Sequence, residues 1–161
     1  MGISDLADDL LDGIDGARRE MGGWFEPSLR LGVTGLSGAG KTVFITALVA
    51  SLLNRGRMRM LSAQAAGRIE AAHLRPQPDP EVPRFSYEAH IKALTGEDRA
   101  WPQSTRSVSQ LRLSMRYQPA GMFSGLWGAG ELHLDIVDYP GEWLLDLPLI
   151  DQSYADWAAE A

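Results

Sequence analysis

Gly35-Leu36-Ser37-Gly38-Ala39-Gly40-Lys41-Thr42 is the stretch on which the reading of this chain turns. It satisfies the pattern G-x-x-x-x-G-K-[ST], and its flanks supply the context that pattern needs. Residues 29–34 are an apolar run that reads as a short strand. Residues 42–53 read as a helix, with Val43, Phe44, Ala47, Leu48 and Leu52 on or near one stripe. Strand, glycine turn and helix therefore follow in order. Glycines let the backbone curl so that its N–H groups converge on phosphate oxygens, and the helix N-terminus adds a favourable dipole. On this reading residues 35–42, with Val43 behind them, cradle a nucleotide. Lys41 reaches the β- and γ-phosphates, and Thr42 offers its hydroxyl to Mg2+. One of the chain's two lysines falls on the motif.

Downstream, strict alternation begins at residue 108. Leu111, Leu113, Met115 and Tyr117 share one face and Arg112, Ser114 and Arg116 the other, the pattern of a half-buried strand. After the glycine-rich residues 119–130, Leu132, Leu134, Ile136 and Val137 make a second strand. The two are expected to form an antiparallel hairpin whose long tip is packed by Phe123 and Trp127. Pro140-Gly141 stops the second strand. The acid leaving it, in Asp138-Tyr139-Pro140-Gly141, stands where a P-loop enzyme supports its metal. Asp135 competes for that role but lies three residues inside the strand, where a structural or edge role fits better. Glu142 follows Gly141 at the place of a water-positioning residue, and an exposed loop glutamate is an equally good reading. Ser104, Thr105 and Arg106 precede the first hairpin strand. Thr105 is the candidate to complete the Mg2+ shell when a γ-phosphate is bound. Arg99 and Arg106 read as solvated side chains before transition-state partners.

Upstream of the motif, residues 3–17 place Ile3, Leu6, Leu10, Leu11 and Ile14 at helical spacing among five aspartates. Residues 1–27 thus read as an acidic amphipathic helical segment closed by Gly22-Gly23. Arg55, Arg57 and Arg59 precede residues 58–66, which start a strand or a helix. The prolines at 76, 78, 80 and 83 make residues 75–84 an extended connector. Residues 85–94 suggest a short helix and residues 96–107 a loop.

Composition narrows the function classes. In 161 residues, 21 acidic against 15 basic side chains give a net charge of −6, which disfavours a general nucleic-acid binder. No Cys is present, so disulfide scaffolds, Cys-liganded zinc and thiol catalysis are excluded. No apolar run is long enough to span a bilayer, and acids occupy the N-terminus where a signal peptide carries bases, so a cytoplasmic location is expected. His73, His90 and His133 show no metal-ligand spacing, and no G-x-S-x-G occurs.

Together the runs GLSGAGKT, PQPDPEVPRFSYEAH, WPQSTRSVSQLRLSMRY and LHLDIVDYPGEWLLDLPL resemble the YcjX-like family of P-loop proteins. The resemblance covers most of residues 28–152. It implies a place with the translation-factor-like GTPases, phosphate-binding roles for residues 35–42, a first-switch role near Thr105, a second-switch role for Asp138 and Gly141, and a link to bacterial stress response. Two features depart from a minimal Ras-like GTPase. The interval from Thr42 to Asp138 is long, implying an insertion at about residues 55–100. No [NT]-K-x-D is present, since Lys92 is followed by Ala-Leu.

The expected fold is α/β, a P-loop NTPase sheet flanked by helices, with an antiparallel hairpin before the Asp-x-x-Gly loop. Only about three strands are readable, so residues 28–161 are expected to be the N-terminal part of that domain in a longer protein. The expected function is Mg2+-dependent binding and hydrolysis of GTP, leaving GDP, with Lys41, Glu142 and Thr105 in the chemistry. ATP and ADP are the alternative nucleotides; the hairpin favours GTP because ATPases of the other P-loop branch insert a strand beside the motif strand. A small-molecule kinase lacks a recognisable acceptor pocket or Arg-rich lid. A nucleotide-gated interaction module, holding a protein partner through the switch loops with little hydrolysis, is the alternative from another class. Oligomeric state is left open.

Overall fold

Alternating apolar residues bring four segments into one sheet. The computed structural model describes residues 26–54, 61–102, 106–119 and 129–141, with Trp143, Ser153 and Ala158. Its elements are β1 (Ser28–Val33), α1 (Lys41–Leu53), α2 (Ser62–Ala65), β2 (Ile69–Arg75), α3 (Tyr87–Thr95), β3 (Ser109–Tyr117) and β4 (Gly130–Asp138). The acidic N-terminal helix, the Arg55, Arg57 and Arg59 patch, Thr105, the hairpin tip, Glu142 and nearly all of residues 151–161 lie outside the described residues.

The strand order is β1-β4-β3-β2. The expected hairpin is present: β3 and β4 pair antiparallel from Ser109↔Asp138 to Tyr117↔Gly130. β1 lies parallel to β4, with Leu29↔Leu134, Leu31↔Ile136 and Val33↔Asp138 in register. A parallel pair needs a crossover, and α1, which packs on β4, opens it. No strand stands between β1 and β4.

β2 adds a fourth strand to the three readable in the sequence. It comes from the insertion and pairs antiparallel with β3, with an irregularity between Ile69 and Ala71. Its sequence, IEAAHLR, carries two central alanines, which hide the alternation that marks β3 and β4.

One face of the sheet holds the core. Leu111, Leu113, Leu132, Leu134 and Ile136 meet Ile45 and Val49 of α1 and the aromatic pair Phe85 and Tyr87. α1 turns a different side inward than the stripe expected from its sequence. Ile45, Thr46, Val49 and Ala50 are buried, whereas Phe44 and Ala47 are exposed. The helix is apolar nearly all round, so periodicity does not choose a face. The preceding turn chooses it, by directing Lys41 and Thr42 inward.

The opposite face is polar and paired. Arg112 donates two hydrogen bonds of 2.6 Å to the Asp135 carboxylate. Fully buried Ser114 lies 2.7 Å from His133 Nδ1, and His133 Nε2 lies 3.0 Å from Glu26. β3 is therefore more enclosed than its alternation suggests: Ser114 stands on the side expected to face solvent. No described helix is long and apolar enough to cross a membrane.

Candidate functional site

At the end of β1 the chain turns through residues 34–40 directly into α1. Gly38 and Gly40 take φ of 76° and 91°, left-handed values that side-chain-bearing residues rarely adopt. A Cβ at either would meet nothing within 4 Å, so backbone conformation rather than space demands glycine there. Gly40 is the N-cap of α1; no side chain caps the helix and its first turn holds no acid. The N-terminus of a 13-residue helix is thus presented without an internal anion, an arrangement suited to an external one.

Lys41 is only 8% exposed. Its ammonium curls over the turn and donates to the carbonyl oxygens of Gly35 at 2.6 Å and Leu36 at 3.2 Å. Among the described residues no carboxylate forms an ion pair with it. The cation is held by dipoles alone, poised for an anionic ligand. Thr42 is buried beside it, Val43 is half-buried on the same helical turn, and Leu36, Ser37 and Ala39 stand exposed on the turn.

The two acids of β4 are separated by the pleat. Asp138, 2% exposed, ends the strand opposite Val33, and the Tyr139 N–H donates to the Val33 carbonyl at 3.0 Å. It shares the α1-facing side with Leu134 and Ile136, whereas Asp135 points to the other face and is engaged by Arg112. Asp135 therefore has the structural place that its position inside the strand suggests. Gly141 brings the turn after β4 against the glycine turn. A Cβ on Gly141 would run into the Gly35 carbonyl oxygen and lie 2.9 Å from the Leu36 carbonyl carbon. Close backbone approach explains glycine here.

Residues 35–43, Asp138 and Gly141 are thus gathered at one end of the parallel β1–β4 pair. Thr105 and Glu142 lie outside the described residues. The donors present, a Thr42 hydroxyl and an Asp138 carboxylate, are the hard oxygen type that suits Mg2+. Among the described residues no group of three His, Cys, Asp or Glu side chains could hold a metal. A cation here fits best with ligand oxygens completing its shell, as Mg2+ bound with phosphates does.

His90 joins this end of the sheet although its sequence spacing gave no hint of it. The segment before α3 docks on β3, with the Gln110 N–H donating to Pro83 at 2.9 Å and the Phe85 N–H donating to Gln110 at 2.7 Å. Ser109, next to Gln110, is paired with Asp138. The His90 ring packs on Phe85 with centroids 4.9 Å apart. Burial pushes the His90 pKa below the ordinary histidine value, while the Asp138 charge pulls it upward. The available signal was a polar residue on the stripe of Tyr87, Ile91 and Leu94.

A family model described as the YcjX-like family, DUF463, matches residues 29–161. The chain is 47% identical over 141 residues to a protein of Shewanella oneidensis named Ras-like GTPase YcjX, covering 80% of this chain and 29% of that protein. It is 45% identical over 136 residues to a protein of the same name from Escherichia coli K12, covering 82% and 29%. The chain spans less than a third of the length of these curated relatives.

Proposed function

This chain belongs to the YcjX-like family, and from that premise we propose that it carries the phosphate- and magnesium-binding part of a P-loop nucleoside triphosphatase that binds and hydrolyses GTP. The observation that carries the reading is the parallel register Val33↔Asp138. It sets a buried carboxylate beside the turn on which Lys41 lies and from which α1 begins. The direct β1–β4 pairing further favours the GTPase branch, since no strand intervenes.

Each residue then has a task. The backbone N–H groups of residues 35–42 and the uncapped start of α1 bind phosphate oxygens. Lys41 exchanges its carbonyl partners for phosphate and neutralises charge there. Thr42 and Asp138 hold magnesium, which supplies charge neutralisation between the β- and γ-phosphates when bound. Gly141 keeps the loop after β4 close to the phosphate turn. Glu142 orients the attacking water and Thr105 completes the metal shell in the triphosphate state. A cytoplasmic location and a role in bacterial stress response belong to the same proposal.

A second reading, a nucleotide-gated interaction module with little hydrolysis, is favoured by one observation. Leu36 on the turn and Trp143 beyond Gly141 are 59% and 51% exposed. Large apolar side chains in those places suit a partner that reads the bound nucleotide.

The test is to purify the full-length protein, denature it and identify the released nucleotide by chromatography. Guanine nucleotide is expected. Adenine nucleotide would replace GTP by ATP, and a protein that neither releases nor binds either nucleotide defeats the proposal. Single-turnover hydrolysis then separates an enzyme from a switch.

A further inference from the structure

We propose that His90, carried on α3 from the insertion, is a positioning residue of the magnesium–nucleotide site and acts through Asp138. The inference rests on the function proposed above and adds to it a residue outside the glycine turn and the loop after β4.

Placement is the first argument. α3 packs against α1, the helix that begins at Lys41. Its approach is fixed by the Pro83–Gln110 and Phe85–Gln110 hydrogen bonds, one residue along β3 from the Ser109↔Asp138 pair. The Asp138 carboxylate lies within electrostatic reach of the imidazole. Chemistry is the second argument. On α3 the inward stripe is Tyr87, Ile91 and Leu94, and an apolar residue at 90 would pack against Phe85 without cost. A half-buried imidazole loses hydration there and needs a polar purpose. Its pKa lies below the ordinary histidine value, so the ring is neutral at pH 7 and adds no positive charge beside a bound cation. A neutral imidazole has one N–H donor and one ring-nitrogen acceptor. Such a group can hold a carboxylate or a metal-bound water in orientation, and the tilted Phe85 contact, at 51°, fixes its plane.

The test uses the full-length protein and three substitutions. His90→Phe keeps an aromatic ring against Phe85 without a hydrogen-bonding nitrogen, and His90→Gln keeps a donor and an acceptor. His90→Leu, which suits the apolar stripe, replaces the Phe variant if that one does not fold. GDP affinity is measured with saturating Mg2+ and with EDTA, and the ratio is compared within each protein; ADP is the probe if adenine nucleotide is released. Loss of an outer-shell partner lowers metal affinity about 10–100-fold. His90→Phe should lower the Mg2+-dependent ratio on that scale, leave the EDTA affinity unchanged, and be at least partly rescued in His90→Gln.

A ratio in His90→Phe equal to that of the parent overturns the role of His90 while leaving the proposed function intact. Equal losses in the Phe and Gln variants assign His90 a steric part and overturn the role as well. A parent protein that binds no nucleotide, or binds it with no magnesium effect, overturns both the magnesium-dependent function and this role.

Discussion

Lys41 combines burial with a charge that no described carboxylate balances. Its two carbonyl partners, Gly35 and Leu36, keep it hydrogen-bonded without neutralising it. Lys41→Ala should therefore remove the attraction for polyphosphate, leaving a backbone cradle alone. A loss of at least about 1.5–3 kcal/mol in triphosphate affinity is expected, the worth of a charge-assisted hydrogen bond. Unchanged affinity by titration calorimetry would defeat the assignment of residues 35–42. Gly141 makes a different demand, because its Cα sits against the backbone of the glycine turn. Gly141→Ala must separate the two loops, at a cost of about 1–3 kcal/mol for an overpacked site. Thermal melting and GDP titration should both register the change. The glycine turn itself was legible from residue types at fixed spacing, and so was Asp138 from its place at a strand end. The contact of Gly141 with Gly35 and Leu36 was not legible, because a sequence gives the turn but not what the turn touches.

β4 carries two acids on opposite faces, and the period of the strand assigns them different work. Asp135 is held by two hydrogen bonds from Arg112, so Asp135→Asn should lower stability by about 1.5–3 kcal/mol and leave the magnesium dependence of nucleotide binding unchanged. Asp138→Asn should do the converse, weakening magnesium dependence while GDP still binds in EDTA. Urea denaturation and titrations with and without Mg2+ separate the two; equal magnesium dependence in parent and Asp138→Asn would transfer the metal role elsewhere.

On α3, the Arg84 guanidinium donates two hydrogen bonds to Glu88 and lowers its pKa to about 2. A depressed carboxylate contributes stability above its ordinary value near 4.5, and loses it as pH falls toward about 2. The side chain is largely exposed, so solvent screens the pair and the contribution is about 0.3–0.5 kcal/mol. The stability difference between the parent and Glu88→Gln should be present at pH 6 and shrink between about pH 4.5 and 2 in urea titrations.

At the scale of the whole molecule, the sheet is layered by chemistry. One face is apolar under α1 and α3, and the other is tied by Arg112–Asp135 and Ser114–His133–Glu26. The hairpin and the motif strand were legible because alternation and a run of branched residues declare a strand from local sequence alone. β2 was not, since its alanines carry little preference and its strand conformation comes from pairing with β3. The inward face of α1 was hidden for a related reason, uniform apolarity. Pairing also sets local stability. β3 and β4 each have a hydrogen-bonded neighbour on both sides, whereas β2 has one, with an irregularity at its start. Amide hydrogens in peptides covering residues 111–117 and 132–138 should therefore exchange slowest, and those covering residues 69–75 measurably faster, since local opening costs less where fewer contacts must break. Hydrogen exchange followed by mass spectrometry on the full-length protein reads all three segments in one experiment. Equal protection of residues 69–75 would mean that their outer edge is closed by another part of the protein, so that the insertion helps seal the sheet rather than forming its margin.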